Sequence, residues 1–204
     1  MRRTLLLSCL LLLAACSRSE PSPLGNCPAL DAGSPVDPLL LAFLSRARSA
    51  HHLADDFEGA GDLTASAAPL ERLVAGPLPH VNGAELGPEV REVLADTYAR
   101  LADLHSRQGA FDRALEDVQV GRSHAREPNY FQGHLLETEG LVEERHAKAL
   151  EKSGDLPRAA AIRKRAIELL EQAMVVQSGV IERAPRAPAT AMSAGTPTPA
   201  ASTR

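Results

Sequence analysis

The side chains of this chain that could carry chemistry are three cysteines, seven histidines and a scattered set of carboxylates. The histidines are His51, His52, His80, His105, His124, His134 and His146. None has a second histidine three or four positions away, and no His-Glu-x-x-His motif or cysteine pair occurs, so no zinc spacing is present. We therefore predict no metal site. We expect His105 to occupy a packing position and the other histidines to be solvated.

Catalytic motifs are equally hard to find. The acidic segment DDFEGAGD, residues 55–62, lacks the alternating ligands and the terminal Glu of a calcium loop. The sequence contains neither a glycine-rich phosphate loop nor a nucleophile elbow. A serine, a histidine and an aspartate occur in any chain of this length, and their presence alone does not indicate a triad. We therefore expect no catalytic residues, no cofactor and no enzymatic activity.

All three cysteines lie near the start of the chain, at Cys9, Cys16 and Cys27. Cys16 follows the apolar run 5–15, which is preceded by Arg2 and Arg3. As a helix the run would be about 16 Å long, too short for a hydrocarbon core of roughly 30 Å. A basic start, a short apolar middle and a small-residue end are typical of a secretory signal. We predict that residues 1–15 are a cleaved signal peptide.

The segment Leu13-Ala14-Ala15-Cys16 resembles the lipobox of bacterial lipoproteins. The resemblance implies that the thiol of Cys16 receives a diacylglycerol and that Cys16 becomes the mature N-terminus. Two or three acyl chains give stable attachment, whereas one chain holds only marginally. Ser17 in the next position is similar to the pattern of outer-membrane lipoproteins, so we expect a lipid-anchored envelope protein facing the periplasm. The alternative is an ordinary signal peptide that ends before a cysteine.

The charge of the mature chain restricts its partners. Removal of Arg2 and Arg3 with the signal peptide lowers the formal net charge from −4 to −6. Nucleic acid and anionic lipid favour a basic stripe, so we expect no nucleic-acid partner and membrane contact only through the N-terminal lipid. Cys27 has no cysteine partner within the mature chain, and it is either an intermolecular bridge or an incidental thiol.

Composition indicates an all-α protein. Ala, Leu, Glu and Arg favour helix, and a chain with no Trp and only six other aromatic residues is poor in the residues of a β core. Residues 16–36 contain four prolines and read as a flexible tether from the lipid. Residues 185–204 are rich in Ala, Pro and Thr and are expected to be disordered. Between these segments, residues 37–184 form one predicted helical domain.

The helical domain divides into six helices in three antiparallel pairs, and the apolar spacing predicts Phe57 on the inner face of the first helix and Ala149 on the inner face of the fifth. Three similar breaks, EGAGDL, SRQGAF and EKSGDL, each separate the two helices of a pair. Their glycines are Gly61, Gly109 and Gly154, which are 48 and 45 residues apart. Recurrence at such an interval indicates stacked helical units. Pro69 is expected to kink or restart the second helix, because it cannot donate a hydrogen bond to the preceding turn.

The middle pair resembles a tetratricopeptide repeat (TPR). In TYARLADLHSRQGAFDRALEDV, residues 97–118, the family's large aromatic, Leu, Gly and Tyr positions are occupied by Tyr98, Leu101, Ala102 and His105. After the turn, its Ala and Phe positions are occupied by Ala114 and Val118. The resemblance implies small residues at the closest helix crossing and large ones on either side. We therefore predict three hairpins stacked as a short TPR-like array.

The outer pairs match the TPR pattern less closely. The first has Ser66 where the family has a small Ala. The third has polar residues at apolar positions, namely Glu143, His146 and Arg163. Its first helix also carries Gly133, Gly140 and Ala147 seven residues apart, on one face. We interpret them as a smooth strip that lets a helix of the preceding repeat or of another protein approach closely; the alternative is a bent or frayed helix start.

Two classes of function are compatible with these observations. A helical array exposes a groove that takes a peptide or a partner helix, so we expect a non-catalytic scaffold for an envelope protein, with the assembly of an envelope complex as one such role. Lipid-anchored TPR proteins, which this chain resembles in layout, have such roles. The alternative is a small-ligand receptor or an enzyme with a site between helices. The dense basic run at residues 163–165 is expected to be solvated surface or to meet an acidic partner.

Overall fold

The computed structural model describes residues 37–80 and 85–184, and within them the chain is all-α, as predicted. The six helices are α1 (Pro38–Gly59), α2 (Leu63–Val74), α3 (Pro88–Arg107), α4 (Phe111–His124), α5 (Tyr130–Ser153) and α6 (Leu156–Arg183). The predicted signal peptide, tether and C-terminal tail, with Cys16 and Cys27, lie outside the described residues.

Four helices begin at side chains that cap their free N–H groups. Asp37 accepts from the N–H of Leu39 at 2.8 Å to open α1. The same arrangement opens α2, α5 and α6, where the capping side chains belong to Asp62, Asn129 and Asp155. A capping oxygen satisfies one of the orphan donors of the first turn and contributes about 1 kcal/mol. The chain therefore encodes its helix starts locally.

The helices of each pair are separated by a glycine in the left-handed region. The φ angles of Gly61, Gly109 and Gly154 are +82°, +82° and +89°. No heavy atom lies within 4 Å of a Cβ built on any of them, so backbone conformation and not space favours glycine here. The short breaks fold each second helix back along the first, which gives three hairpins: α1 with α2, α3 with α4, and α5 with α6.

The hairpins stack through their first helices. In the described part of the chain, α3 contacts both α1 and α5, and each new hairpin also contacts the second helix of the one before it. The backbones of the second helices α2, α4 and α6 do not approach one another within this part, although Arg113 of α4 forms an ion pair with Glu71 of α2. We call the side of the array that is formed by α1, α3 and α5 the first-helix face.

Small side chains permit the close approach within the middle hairpin. Ala102 of α3 and Ala114 of α4 are both fully buried, and they share a cluster with Val118 and with Val142 of α5. A larger cluster joins α1, α2 and α3 around Phe43, Leu70, Leu73, Leu94, Leu101 and Leu104. The array therefore has a continuous apolar interior running from the first hairpin to the third.

The interior differs from the sequence predictions at three positions. The helix does not restart at Pro69, since α2 runs unbroken from Leu63 to Val74, and the Pro69 ring is buried. Phe57, expected on the inner face of α1, is 39% exposed, because it lies near the end of the helix, beyond Ala54, the last buried residue of α1. Ala149, assigned to the inner face of α5, is exposed.

Candidate functional site

The first-helix face contains a groove that three helices line. We define the first-helix groove by its lining residues: Leu44, Ala47, Arg48 and His51 of α1, Glu89, Glu92, Val93 and Asp96 of α3, and Phe131 of α5. Its volume is about 510 Å³. The α3 residues recur every three or four positions, so one side of that helix faces the groove. The stacking of consecutive hairpins therefore creates this surface, and a single hairpin does not have it.

The groove combines an apolar floor with an acidic wall. The floor consists of Leu44, Ala47, Val93 and Phe131, of which Ala47 is buried and the other three are half-buried. The wall consists of Glu89, Glu92 and Asp96, which follow one side of α3. Apolar surface beside charged groups is typical of sites that bind a chain of mixed character. None of these α3 carboxylates belongs to a recognisable motif in the sequence.

His51 is held in a defined tautomer at the edge of the groove. The hydroxyl of Thr97 donates to the carbonyl of Val93 at 2.7 Å. Its oxygen is therefore free to accept from Nε2–H of His51 at 3.0 Å. Burial lowers the pKa of His51, opposed by the nearby carboxylates of Asp96 and Asp55 and assisted by Arg100. The imidazole is therefore neutral at pH 7, and the expectation that this histidine is solvated is wrong.

Ion pairs connect the first helices beyond the groove. Arg100 of α3 donates to Asp55 and Glu58 of α1, with N–O distances of 2.6 and 2.8 Å. Arg145 of α5 reaches back to Asp103 of α3 at 2.7 Å. Arg107 also pairs with Glu58, and this guanidinium hydrogen bond lowers the pKa of the Glu58 carboxyl. The carboxylates at this end of the face are therefore neutralised by arginines of the neighbouring hairpin.

The residues singled out by the TPR resemblance lie mostly within the middle hairpin. Leu101, Ala102, Ala114 and Val118 are all buried, with at most 2% exposure. Tyr98 is half-buried and stacks on the His124 ring at a centroid distance of 6.0 Å. They form packing contacts between helices and do not belong to the lining of the first-helix groove. His105 is also buried there, and its contacts are polar, since Nδ1 lies 2.6 Å from Oδ2 of Asp117.

The glycine strip of α5 faces the partner helix of its own hairpin. A Cβ built on Gly140 would lie 2.8 Å from Cγ of Leu170, and one on Gly133 would lie 2.9 Å from Cγ of Gln177. Both contacts belong to α6, and Ala147, the third member of the strip, is fully buried. The close approach is therefore made by α6 and not by the preceding repeat or by another protein.

A buried carboxylate pair on α5 was missed by the sequence analysis. Glu139 is 6% exposed and accepts from Arg122 of α4 at 2.8 Å and from Arg165 of α6 at 2.9 Å. Arg165 also reaches Glu143 at 3.1 Å, and burial raises the pKa of Glu143, opposed by this arginine and by His146. The pair joins three helices; the repeat pattern signals Glu143 as a polar residue at an apolar position, and no local pattern signals Glu139.

These contacts also bear on two expectations about polar side chains. His146 is not solvated, because its ring stacks on Phe111 with centroids 4.6 Å apart and lies near Glu143. The basic run 163–165 lies on the surface, as one of its two expected readings has it, since Lys164 is 81% exposed and Arg165 is 60% exposed. All three members also form ion pairs within α5 and α6, with Glu139, Glu143, Glu151 and Glu168.

The outer side of α6 is a second exposed apolar surface. Ile167, Met174 and Ile181 recur every seven residues and are 52%, 67% and 75% exposed. The stripe faces away from α5, since the intervening positions that meet α5 belong to Leu170 and Gln177. It therefore marks the end of the stack within the described residues, where no further helix packs.

The described residues form neither a metal-binding cluster nor a membrane-spanning helix. Within residues 37–80 and 85–184, no three His, Cys, Asp or Glu side chains gather closely enough to hold a metal ion. No helix in those ranges combines the length and hydrophobicity needed to cross a bilayer.

Comparison with protein-family models, curated proteins and solved structures gave no match to this chain.

Proposed function

We propose that this protein is a lipid-anchored scaffold of the bacterial cell envelope that binds another protein in the first-helix groove without catalysing a reaction. The observation that carries the proposal is the groove itself, an open, partly apolar surface about 510 Å³ in volume that three stacked hairpins build together. Helical arrays commonly use such concave surfaces to bind peptides and helices.

The proposed anchor rests on the sequence around Cys16 and its resemblance to a lipobox. We propose that Cys16 carries the lipid, that residues 16–36 act as the tether, and that the helical array works in the periplasm on the outer membrane. We further propose that the hairpins are divergent TPR units. The series of first-helix contacts and the buried Ala102 and Ala114 support this relationship.

The anchor is tested by fractionating cells that express the full chain with and without Cys16→Ser. The unaltered protein should sediment with the outer membrane and gain the mass of a diacylglycerol. The serine variant should be released into the soluble periplasmic fraction or remain as the uncleaved precursor, which gel migration and N-terminal sequencing distinguish. Membrane attachment of a processed Cys16→Ser protein would contradict the anchor.

The scaffold role is tested by placing a photo-crosslinking amino acid in the full chain in living cells. A crosslinker at Arg48 lies in the groove, and one at Glu116 lies on the exposed side of α4 as a matched control. We expect a protein adduct of defined mass from Arg48 and none from Glu116. A small-ligand receptor would be favoured instead if the crosslinker at Arg48 gave no adduct and a metabolite raised the melting temperature of the protein in a thermal-shift assay.

A further inference from the structure

We propose that the first-helix groove selects a cationic protein segment that carries an apolar anchor residue. This inference rests on the proposed scaffold function and specifies the chemistry of its partner. It is carried by the juxtaposition of an apolar floor with a row of carboxylates that form no ion pair within the described residues.

The acidic wall differs from the rest of the same helix face. Glu89, Glu92 and Asp96 form no ion pair within the described residues. The next carboxylate of α3 in this direction, Asp103, is paired with Arg145 at 2.7 Å. The carboxylate near the C-terminal end of α3 therefore forms an ion pair with the next hairpin, whereas the carboxylates nearer its N-terminal end line the groove without an ion pair.

The fold gives only a partial reason for the acidic wall. Glu89 lies in the first turn of α3, where its charge interacts favourably with the helix dipole. Glu92 and Asp96 lie beyond that turn, and the dipole effect declines within the first turn. A row of like charges along one side of a helix also costs some stability through repulsion. A cationic partner would relieve that repulsion.

The cations within the groove are too few to balance the wall. Arg48 is exposed on α1 and forms no ion pair within the described residues. His51 is neutral at pH 7, because burial lowers its pKa and its Nε2–H donates to Thr97. Three carboxylates therefore face one guanidinium. A partner that brings two or more Lys or Arg side chains gains electrostatic complementarity and faster association.

The apolar floor adds a requirement that charge alone does not impose. Leu44, Val93 and Phe131 are half-buried and belong to different helices, so an inserted Leu, Met or Phe would contact all three hairpins. Central apolar anchors with charged groups around them are the usual arrangement of binding energy in protein interfaces. A purely polar polycation, such as a polyamine, would satisfy the wall and leave this floor exposed.

The test measures binding of labelled peptides by fluorescence anisotropy to the purified mature chain with Cys16→Ser. The probe is an amidated amphipathic peptide of Lys, Leu and Ala. Its two controls replace every Lys by Glu or every Leu by Ser. The groove variant is Glu89→Gln, Glu92→Gln and Asp96→Asn. The matched control variant makes the same change in charge at three exposed acids outside the groove, Glu116→Gln, Glu127→Gln and Glu182→Gln.

We expect the groove variant to bind the Lys-Leu peptide at least tenfold more weakly, and the control variant to bind it within about threefold of the unaltered chain. Val93→Thr, which keeps its shape but adds a hydroxyl, should weaken binding of the Lys-Leu peptide and leave the Lys-Ser peptide unaffected. The helical circular dichroism of every variant is compared first, so that a loss of binding is not a loss of folding.

Three results would overturn the inference. Equal losses in the groove and control variants would mean that net charge alone attracts the peptide. If the chain bound the Lys-Ser control as tightly as the Lys-Leu peptide, the partner would need no apolar anchor. The same would follow if spermine displaced the Lys-Leu peptide completely at a concentration similar to that of the peptide. Tight binding of the Glu-Leu peptide would reverse the required sign of charge. In each case a protein adduct at Arg48 in cells would leave the scaffold function standing, so the two failures are distinguishable.

Discussion

Nδ1 of His105 lies 2.6 Å from Oδ2 of Asp117, and this contact fastens the two helices of the middle hairpin together from inside. The imidazole is 2% exposed and its Nε2 lies 3.4 Å from Glu71 of the preceding hairpin. A residue identified from the sequence as an aromatic-like packing position is therefore also a polar link between helices α2, α3 and α4. The ring fills space in the interior, and each of its two nitrogens lies near a carboxylate.

His105→Ala is expected to lower the free energy of unfolding by about 2 to 4 kcal/mol, since it opens a cavity and leaves Asp117 without its buried partner. Urea unfolding followed by circular dichroism measures the change. His52→Ala, at an exposed position of α1, is the matched control and should change stability by less than about 0.5 kcal/mol. Similar values for the two variants would show that the polar link contributes little.

Local signals explain how much of the fold could be predicted. Asp37, Asn129 and Asp155 cap helices, and a glycine such as Gly109 ends the first helix of a hairpin, each through contacts with near neighbours in sequence. Such contacts depend on residue type and short spacing, which a sequence displays directly. The helix boundaries and the three hairpins were therefore predictable.

Contacts between distant segments explain what could not be predicted. Glu139 is buried because Arg122 and Arg165, from two other helices, reach it. Phe43 and Phe57 lie two heptads apart on the same side of α1, yet only Phe43 packs into the cluster shared by α1, α2 and α3 and is buried. The groove likewise depends on which side of α3 faces α1, and that is decided when the hairpins stack. The candidate site was therefore not visible in the sequence.

Gly140→Ala is expected to destabilise the chain by about 1 to 2 kcal/mol although Ala favours helix. The new Cβ would lie 2.8 Å from Cγ of Leu170 and 3.2 Å from the backbone carbonyl of Ala166, which cannot move aside independently. Overpacking of this kind costs about 1 to 3 kcal/mol and exceeds the gain in helix propensity, which is about 1 kcal/mol. Thermal and urea unfolding both measure the effect.

Gly179→Ala is the matched control for that substitution, since it lies in the facing helix, where the nearest atom to an added Cβ is Nη1 of Arg183 at 3.5 Å. With no clash, the Ala should raise stability by about 0.5 to 1 kcal/mol. Opposite signs for the two glycines are the expected result. Stabilisation by both would mean that α5 and α6 pack less closely than the Gly140 contact indicates.

Arg145 is expected to couple the second and third hairpins through Asp103. A double-mutant cycle of Arg145→Met and Asp103→Asn should give a coupling energy of about 0.5 to 1 kcal/mol, because both side chains are about one third exposed. The value should fall as NaCl is raised from about 0.05 M to 1 M, since salt screens exposed pairs. A coupling energy that is zero at low salt would remove the ion pair as a link between hairpins.

The buried position of Glu143 predicts an unusual dependence of stability on pH. Burial raises the pKa of its carboxyl above the ordinary 4.5, against the opposing charge of Arg165. The contribution of this group to stability is therefore complete below pH 4.5 and is lost as the pH rises through the folded pKa. Glu143→Gln cannot ionise and keeps an oxygen for Arg165, so its stability relative to the unaltered chain should increase from pH 4.5 to 7.

Glu144, the next residue, supplies a control of opposite sign. A hydrogen bond from Lys148 lowers the pKa of the Glu144 carboxyl, so its contribution is present above pH 4.5 and is lost as the pH falls through the folded pKa. Glu144→Gln should therefore lose stability relative to the unaltered chain as the pH rises from 3 to 5, by a small amount because the pair is exposed. Urea unfolding at a series of pH values compares the two variants. If both variants shift in the same direction with pH, burial does not control the ionisation of Glu143, and the carboxylate pair of α5 is more accessible to solvent than its contacts indicate.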